Sequence, residues 1–163
     1  MIFGSSCENH DDPFYDKWTF RGEVLDLVDY KILSKQAAAL TEAENDFLPL
    51  FANVAALLYE TLDRINWAGC YLMDKGNLLL DPFQGKLACI RIEIGTGVCG
   101  KAVEEDRVLR VPNVHEFPGH IACDSASLSE IVVPIHSKGK AIGVLEILTV
   151  PAMTDSALRT KKG

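Results

Sequence analysis

One thiol stands in a short polar loop, Gly119-His120-Ile121-Ala122-Cys123-Asp124-Ser125-Ala126-Ser127, directly ahead of the strand-like run Glu130-Ile131-Val132-Val133-Pro134-Ile135. A packed core has little use for such a loop. A thiol set among His120, Asp124 and several hydroxyls at a strand entrance suits sulfur chemistry, because the thiolate is the nucleophile and its neighbours tune it. Cys123 is therefore the candidate redox nucleophile, served by Cys89 or Cys99. The plainer reading of a lone loop cysteine is an inert thiol. For Cys89 and Cys99 it is that of a small buried hydrophobe.

The chain has five cysteines, an odd number at wide spacings, which is not the pattern of a secreted disulfide framework. Thiols of this kind in a reducing compartment are buried, metal-bound or catalytic. No CxxC occurs, and His115, His120 and Cys123 lack a fourth ligand at regular spacing, so no metal is expected. Cys7 reads as an inert thiol of the N-terminal segment.

Two carboxylates attract notice. Glu130 opens its strand, and Glu146 shares a strand face with Ile142, Val144 and Leu148. A carboxylate among apolar residues is costly to bury, so Glu146 is either exposed or has a task. Trp67 and Tyr71 fall on one face of the alternating run from Ile65 to Met73, with Cys70 on the other. They are core residues or the wall of a pocket.

The elements that must hold these residues follow from periodicity. Tyr30 to Leu40 is helical in composition. Thr41-Glu42-Ala43-Glu44 has the capping-box form and is expected to start a second helix, with Leu48, Phe51, Ala55, Leu58, Tyr59 and Leu62 as its core stripe and Pro49 as a kink or break. Strands are expected from Ile65 to Met73, Leu78 to Pro82, Lys86 to Ile94, Val108 to Val111, Glu130 to His136 and Ala141 to Thr149. In the third of these Cys89 would share the polar face with Arg91 and Glu93. Gly95-Thr96-Gly97-Val98-Cys99-Gly100 matches no phosphate-binding pattern, so its glycines serve a tight turn. Cys99 would lie in the first turn of the following helix, where the backbone dipole lowers a thiol's pKa.

Helices followed by about six strands predict an α+β domain with an antiparallel sheet. The expected division is a poorly ordered extension over 1–29 with a weak helical turn near Val24 to Leu27, a domain over 30–150, and a polar tail over 151–163. A net charge of -7 argues against a nucleic-acid surface. No apolar run approaches the ~18 residues of a membrane span, and no signal peptide opens the chain, so a cytoplasmic address is expected.

Four stretches taken together resemble one family: Ile65-Asn66-Trp67-Ala68-Gly69-Cys70-Tyr71, Gly85-Lys86-Leu87-Ala88-Cys89-Ile90, Gly95-Thr96-Gly97-Val98-Cys99-Gly100, and Gly119 to Asp124 with Ser129-Glu130-Ile131-Val132. They are similar to the free methionine-(R)-sulfoxide reductases, catalytic members of the GAF-domain superfamily. The resemblance implies a GAF fold, with helices on one face of the sheet and a ligand pocket on the other. It implies Cys123 as the catalytic thiol, Cys89 as the main resolving thiol and Cys99 as a third exchanging cysteine. Trp67, Tyr71 and Glu130 would line the substrate pocket, with Glu146 as a further acid. The family's last strand has an Asp-Ile-Asp pattern; here it reads Glu146-Ile147-Leu148, so the second acid is absent. The family also continues into a long C-terminal helix, for which Met153 to Gly163 is too short and polar. An exposed apolar patch on the back of the sheet is the expected consequence.

The activity so implied is reduction of free methionine-(R)-sulfoxide through a Cys123 sulfenic acid and a Cys89–Cys123 disulfide, with no bound cofactor and a thioredoxin-type dithiol as reductant. Homodimer formation is compatible with the resemblance; nucleic-acid and membrane partners are not expected. The alternative is a GAF module without turnover that binds a small ligand or senses oxidants through Cys123.

Overall fold

The computed structural model describes residues 19–20, 23–24, 28–43, 46–121 and 123–151. Its centre is a six-stranded, wholly antiparallel sheet in the order β5-β4-β3-β8-β7-β6. The strands are β3 (Ile65–Asp74), β4 (Asn77–Gly85), β5 (Arg91–Glu93), β6 (Leu109–Val111), β7 (Ser129–Ser137) and β8 (Lys140–Thr149). A separate antiparallel pair is formed by β1 (Thr19–Phe20) and β2 (Glu23–Val24), so Val24 is in a strand, while residues 25–27 of the helical turn expected from Val24 to Leu27 lie outside the described residues. Cys7, Glu44 and the tail beyond Pro151 lie outside the described residues.

Alternation along β3 sorts its side chains between two cores. Trp67 and Tyr71 join Leu78, Val132, Val144 and Leu148 on the front. Ala68 packs with Leu33 and Leu58, and Cys70 with Leu50 and Phe51, on the back. Helices α1 (Tyr30–Ala43) and α2 (Phe47–Thr61) supply those back residues, while α3 (Gly97–Glu105) packs on the front.

The start of α2 differs from its expected position. Thr41 remains inside α1, where its hydroxyl donates to Ala38 O at 2.7 Å. The cap is Asp46, whose carboxylate accepts from Leu48 N at 3.3 Å. Pro49 then falls in the first turn, where a missing N–H costs nothing, so it neither kinks nor breaks the helix. The buried stripe is Leu50, Phe51, Ala55 and Leu58. Leu48, expected in the core, is 63% exposed, and Tyr59 is exposed as well. Asp46→Ala should cost about 1 kcal/mol in urea unfolding, the usual worth of an N-cap.

On the back, an apolar groove runs between the two helices and the sheet, lined by Ala38, Leu50, Phe51, Val54, Ile135 and Leu145 among others. It occupies the face where an exposed apolar patch was expected.

The stretch from Lys86 to Ile94 is a strand only over Arg91–Glu93. Gly85 at φ 128 ends β4, and residues 86–90 form a loop in which Leu87 is 88% exposed. Cys89 is thus a loop residue and not a member of a strand's polar face.

Candidate active site

The antiparallel register puts the two acids on one face. Glu130 of β7 pairs with Leu148 of β8, and Val132 pairs with Glu146, which makes Glu130 and Glu146 diagonal neighbours. On the other side of β8, Trp67 pairs with Leu148 and Gly69 with Glu146. Both carboxylates are buried, Glu130 with 5% of its surface exposed. Glu146 is therefore not a solvated strand-end charge, and neither is Glu130.

Their burial needs compensation, and the neighbours provide it. Loss of water, then the charge of Glu146, then the hydrogen bond to Glu146 push Glu130 up to about 10. Glu146 is also raised by burial, against the hydrogen bonds it accepts from Glu130 and from Cys99. The proton is thus held on Glu130, with Glu146 as its acceptor. Oxygens of both acids and Cys99 Sγ lie within 4.8 Å of one another. These atoms are close enough to share a metal ion, but the hydrogen bonds among them satisfy one another without one.

Cys99 occupies the first turn of α3, as the periodicity indicated, but it is buried. Burial, followed by the charges of Glu146 and Glu130, raises its thiol well above the ordinary value. The helix dipole is overruled here, since a fraction of a charge does not offset full desolvation beside two carboxyls.

Cys123 and Cys89 meet across two loops, with their sulfurs 2.8 Å apart. Both are free thiols. Although Cys123 is exposed as a residue, loss of water around Sγ and the shared thiol hydrogen bond push it up to about 12, while a hydrogen bond from the Cys89 backbone N–H acts in the opposite direction. Cys123 is therefore protonated at neutral pH.

The pocket beneath these thiols is lined by Trp67, Tyr71, Cys99, Glu130, Glu146 and Leu148, with Cys123 at its edge. Trp67 stacks between Tyr71 and Phe83 at centroid distances of 5.9 and 5.5 Å. Gly69 permits this, because a Cβ there would come within 2.6 Å of the indole and 2.4 Å of Phe83 Cβ. The indole N–H is buried without a hydrogen-bond partner among the described residues, a donor free for a bound molecule. Cys89 lies beside the pocket's apolar wall and reaches it through Cys123.

Two further residues complete the site: His120, already named beside Cys123 in the sequence, and Asn66, which type and spacing did not single out. His120 Nδ1 lies 3.9 Å from Glu130 Oε2, and burial followed by the nearby His115 lowers its pKa, keeping it neutral. Asn66 donates to Asp124 at 3.2 Å and to Ser127 at 2.8 Å, fixing the Cys123 loop to β3. Long-range polar contacts of this kind leave no periodic signal in a sequence.

The chain has counterparts among known proteins. The GAF domain family matches residues 36–160. The free methionine-R-sulfoxide reductase of Escherichia coli is 54% identical over 118 residues, covering 72% of each chain. The chain belongs to the free methionine-R-sulfoxide reductase family, on a GAF fold. The reduced form of fRMsr of Staphylococcus aureus superposes with a TM-score of 0.74 at 47% identity, covering 84% of this chain and 90% of that one. The free methionine-R-sulfoxide reductase of Neisseria meningitidis, in complex with its substrate, has a TM-score of 0.69 at 41% identity, covering 78% and 77%. The fold expectation is met: an α+β domain with a six-stranded antiparallel sheet and helices packed on it. No helix among the described residues is long and apolar enough to cross a membrane.

Proposed function

We propose that this member of the reductase family reduces free methionine-(R)-sulfoxide to methionine. The observation that carries the reading is the Cys89–Cys123 thiol pair, 2.8 Å apart, at the edge of a pocket containing the hydrogen-bonded Glu130 and Glu146. Cys123 sulfur attacks the sulfoxide sulfur while Glu130 protonates the sulfoxide oxygen. The thiol proton of Cys123 returns to the carboxyl pair, so the pocket ends with as many protons as it began. The S–O bond of the substrate breaks, methionine leaves, and Cys123 carries the oxygen as a sulfenic acid. Cys89 then attacks Cys123 sulfur, water departs, and the disulfide forms.

Two electrons pass from the thiols to the substrate, and a thioredoxin-type dithiol restores them. Exposure of Cys123 supports access by such a protein. Trp67 and Tyr71 provide an aromatic wall against which a methylthio group can pack. We assign Cys99 as the thiol that donates to Glu146 and holds the acid pair in register, in place of a second resolving role.

Cys89→Ser separates the two halves of the cycle. Without reductant it should release one methionine per chain and keep a sulfenic acid on Cys123 that dimedone labels, whereas the wild type should accumulate the disulfide. Absence of methionine in that single turnover would count against Cys123 as the attacking thiol.

A second reading has one observation behind it. Leu148 places an apolar side chain opposite Glu130, where the resemblance led us to expect an acid. A GAF module that binds a ligand or senses oxidants through Cys123 would tolerate that change better than an acid catalyst. Folded wild type that releases no methionine would select this reading.

A further inference from the structure

Neither thiol of the pair stands on regular structure. Cys89 lies in the loop 86–90 between β4 and β5, and Cys123 in the loop that precedes β7. The close approach of their sulfurs therefore depends on what holds two irregular segments together. Asp124, the residue after Cys123, joins both to the sheet. Its Oδ2 accepts from Asn66 Nδ2 of β3 at 3.2 Å and meets Lys86 Nζ of the Cys89 loop at 3.0 Å. Its Oδ1 accepts from Ala126 N at 3.0 Å, which fixes the turn of its own loop. Asn66 Nδ2 also donates to the buried Ser127 at 2.8 Å, so the same amide grips both sides of the turn.

The amide's orientation is set by its partner, since a carboxylate only accepts and the NH₂ must face it. Packing adds a second brace. Ile121 lies over the start of α3, where a Cβ on Gly97 would come within 3.2 Å of Ile121 Cδ1. The Cys123 loop is thus held from the strand side and the helix side. Between the Cys89 loop and the Cys123 loop, the charged link is Lys86 to Asp124, one residue from one thiol and three from the other.

We propose that Asp124 and Lys86 are positioning residues for disulfide formation: their ion pair holds the Cys89 loop against the Cys123 loop while the sulfenic acid awaits attack. The attack needs one sulfur in line with the S–O bond of the other, and small misplacements of a nucleophile are costly in rate. An ion pair open to solvent on one side contributes little to global stability, and here the Lys86 side chain is 71% exposed against 12% for Asp124. Its contribution is to the geometry of one step. Both residues also line the pocket, so the first step must be followed beside the second; of the two thiols only Cys123 reacts in it.

The inference rests on Cys89 and Cys123 as the redox pair, and it can be tested without sulfoxide turnover. Hydrogen peroxide converts the Cys123 thiol to sulfenic acid and water, and Cys89 then displaces a second water to close the disulfide. Stopped-flow measurement of both steps would be made on the full chain, the wild type beside Lys86→Met, Lys86→Arg and Asp124→Asn. Lys86→Met should leave sulfenic acid formation within about twofold and slow disulfide closure about tenfold, with more dimedone adduct trapped. Lys86→Arg should restore closure. Closure in the wild type should slow as salt is raised to about 1 M, where screening reaches about 3 Å, and closure in Lys86→Met should not. Equal closure rates in wild type and Lys86→Met would overturn the proposal, as would equal slowing of both steps or a wild type that forms no Cys89–Cys123 disulfide. Normal closure with peroxide but no methionine from the sulfoxide would sink the reductase reading and leave this one standing.

Discussion

Cys123→Ser should abolish methionine release, lowering turnover by about 10⁴-fold or more, the scale on which loss of an essential nucleophile acts. The hydroxyl fits the same space, so the fold should persist and circular dichroism should be unchanged. The physical reason is specific to sulfur. A thiol can take the oxygen as a sulfenic acid and later surrender it in a disulfide, whereas serine has no corresponding oxidation. The comparison with Cys89→Ser sharpens the test. With dithiothreitol present, Cys89→Ser should continue to turn over, because an outside thiol can resolve the sulfenic acid. Cys123→Ser should remain silent with every reductant. Equal loss in the two variants would mean that the assignment of attacking and resolving thiols fails.

Glu130→Gln should lower turnover by about 10²- to 10⁴-fold, the usual worth of a general acid, while making the protein more stable. Burial and Glu146 lift the Glu130 carboxyl from 4.5 to about 10. In the unfolded chain it ionises near the lower value. Between the two, the folded state holds a proton that the unfolded state has lost, so stability falls as pH rises through this window and is unaffected below it. Glutamine has no such proton to lose and can still donate to Glu146. Thermal unfolding of Glu130→Gln should therefore match the wild type near pH 4 and exceed it by several degrees at pH 8. A variant less stable than wild type at pH 8 would contradict the buried, protonated Glu130.

Much of this architecture was legible in the chain. Alternation of Trp67, Cys70 and Tyr71 assigned the two faces of β3, because a strand at the centre of a sheet must satisfy both cores. The run of Glu146 among apolar residues signalled a carboxylate in an unusual place, and the structure buries it beside Glu130. Cys99 was legible in the first turn of its helix, but the sequence left open whether it was a dipole-activated thiol or a buried one, and it is buried. Helix position is local, whereas burial comes from the strands packed against it. The isoleucines at 90, 92 and 94 mimic the period of a strand from Lys86 onward, yet Gly85 turns the chain out and Ile90 is exposed. Only that departure from the sheet frees Cys89 to reach Cys123. Asp46 lost to Thr41 as the expected cap because both satisfy the same local rule, and α1 simply extends further than its composition indicated. The link from Asn66 to Asp124 spans 58 residues and had no local trace.

The most direct test of the central claim is methionine release from racemic free methionine sulfoxide by the wild-type chain with dithiothreitol, followed by amino-acid analysis. The account predicts that methionine accumulates until the (R)-sulfoxide is exhausted, leaving the (S)-sulfoxide untouched. A folded protein that releases no methionine, or that consumes both forms at the same rate, would contradict it.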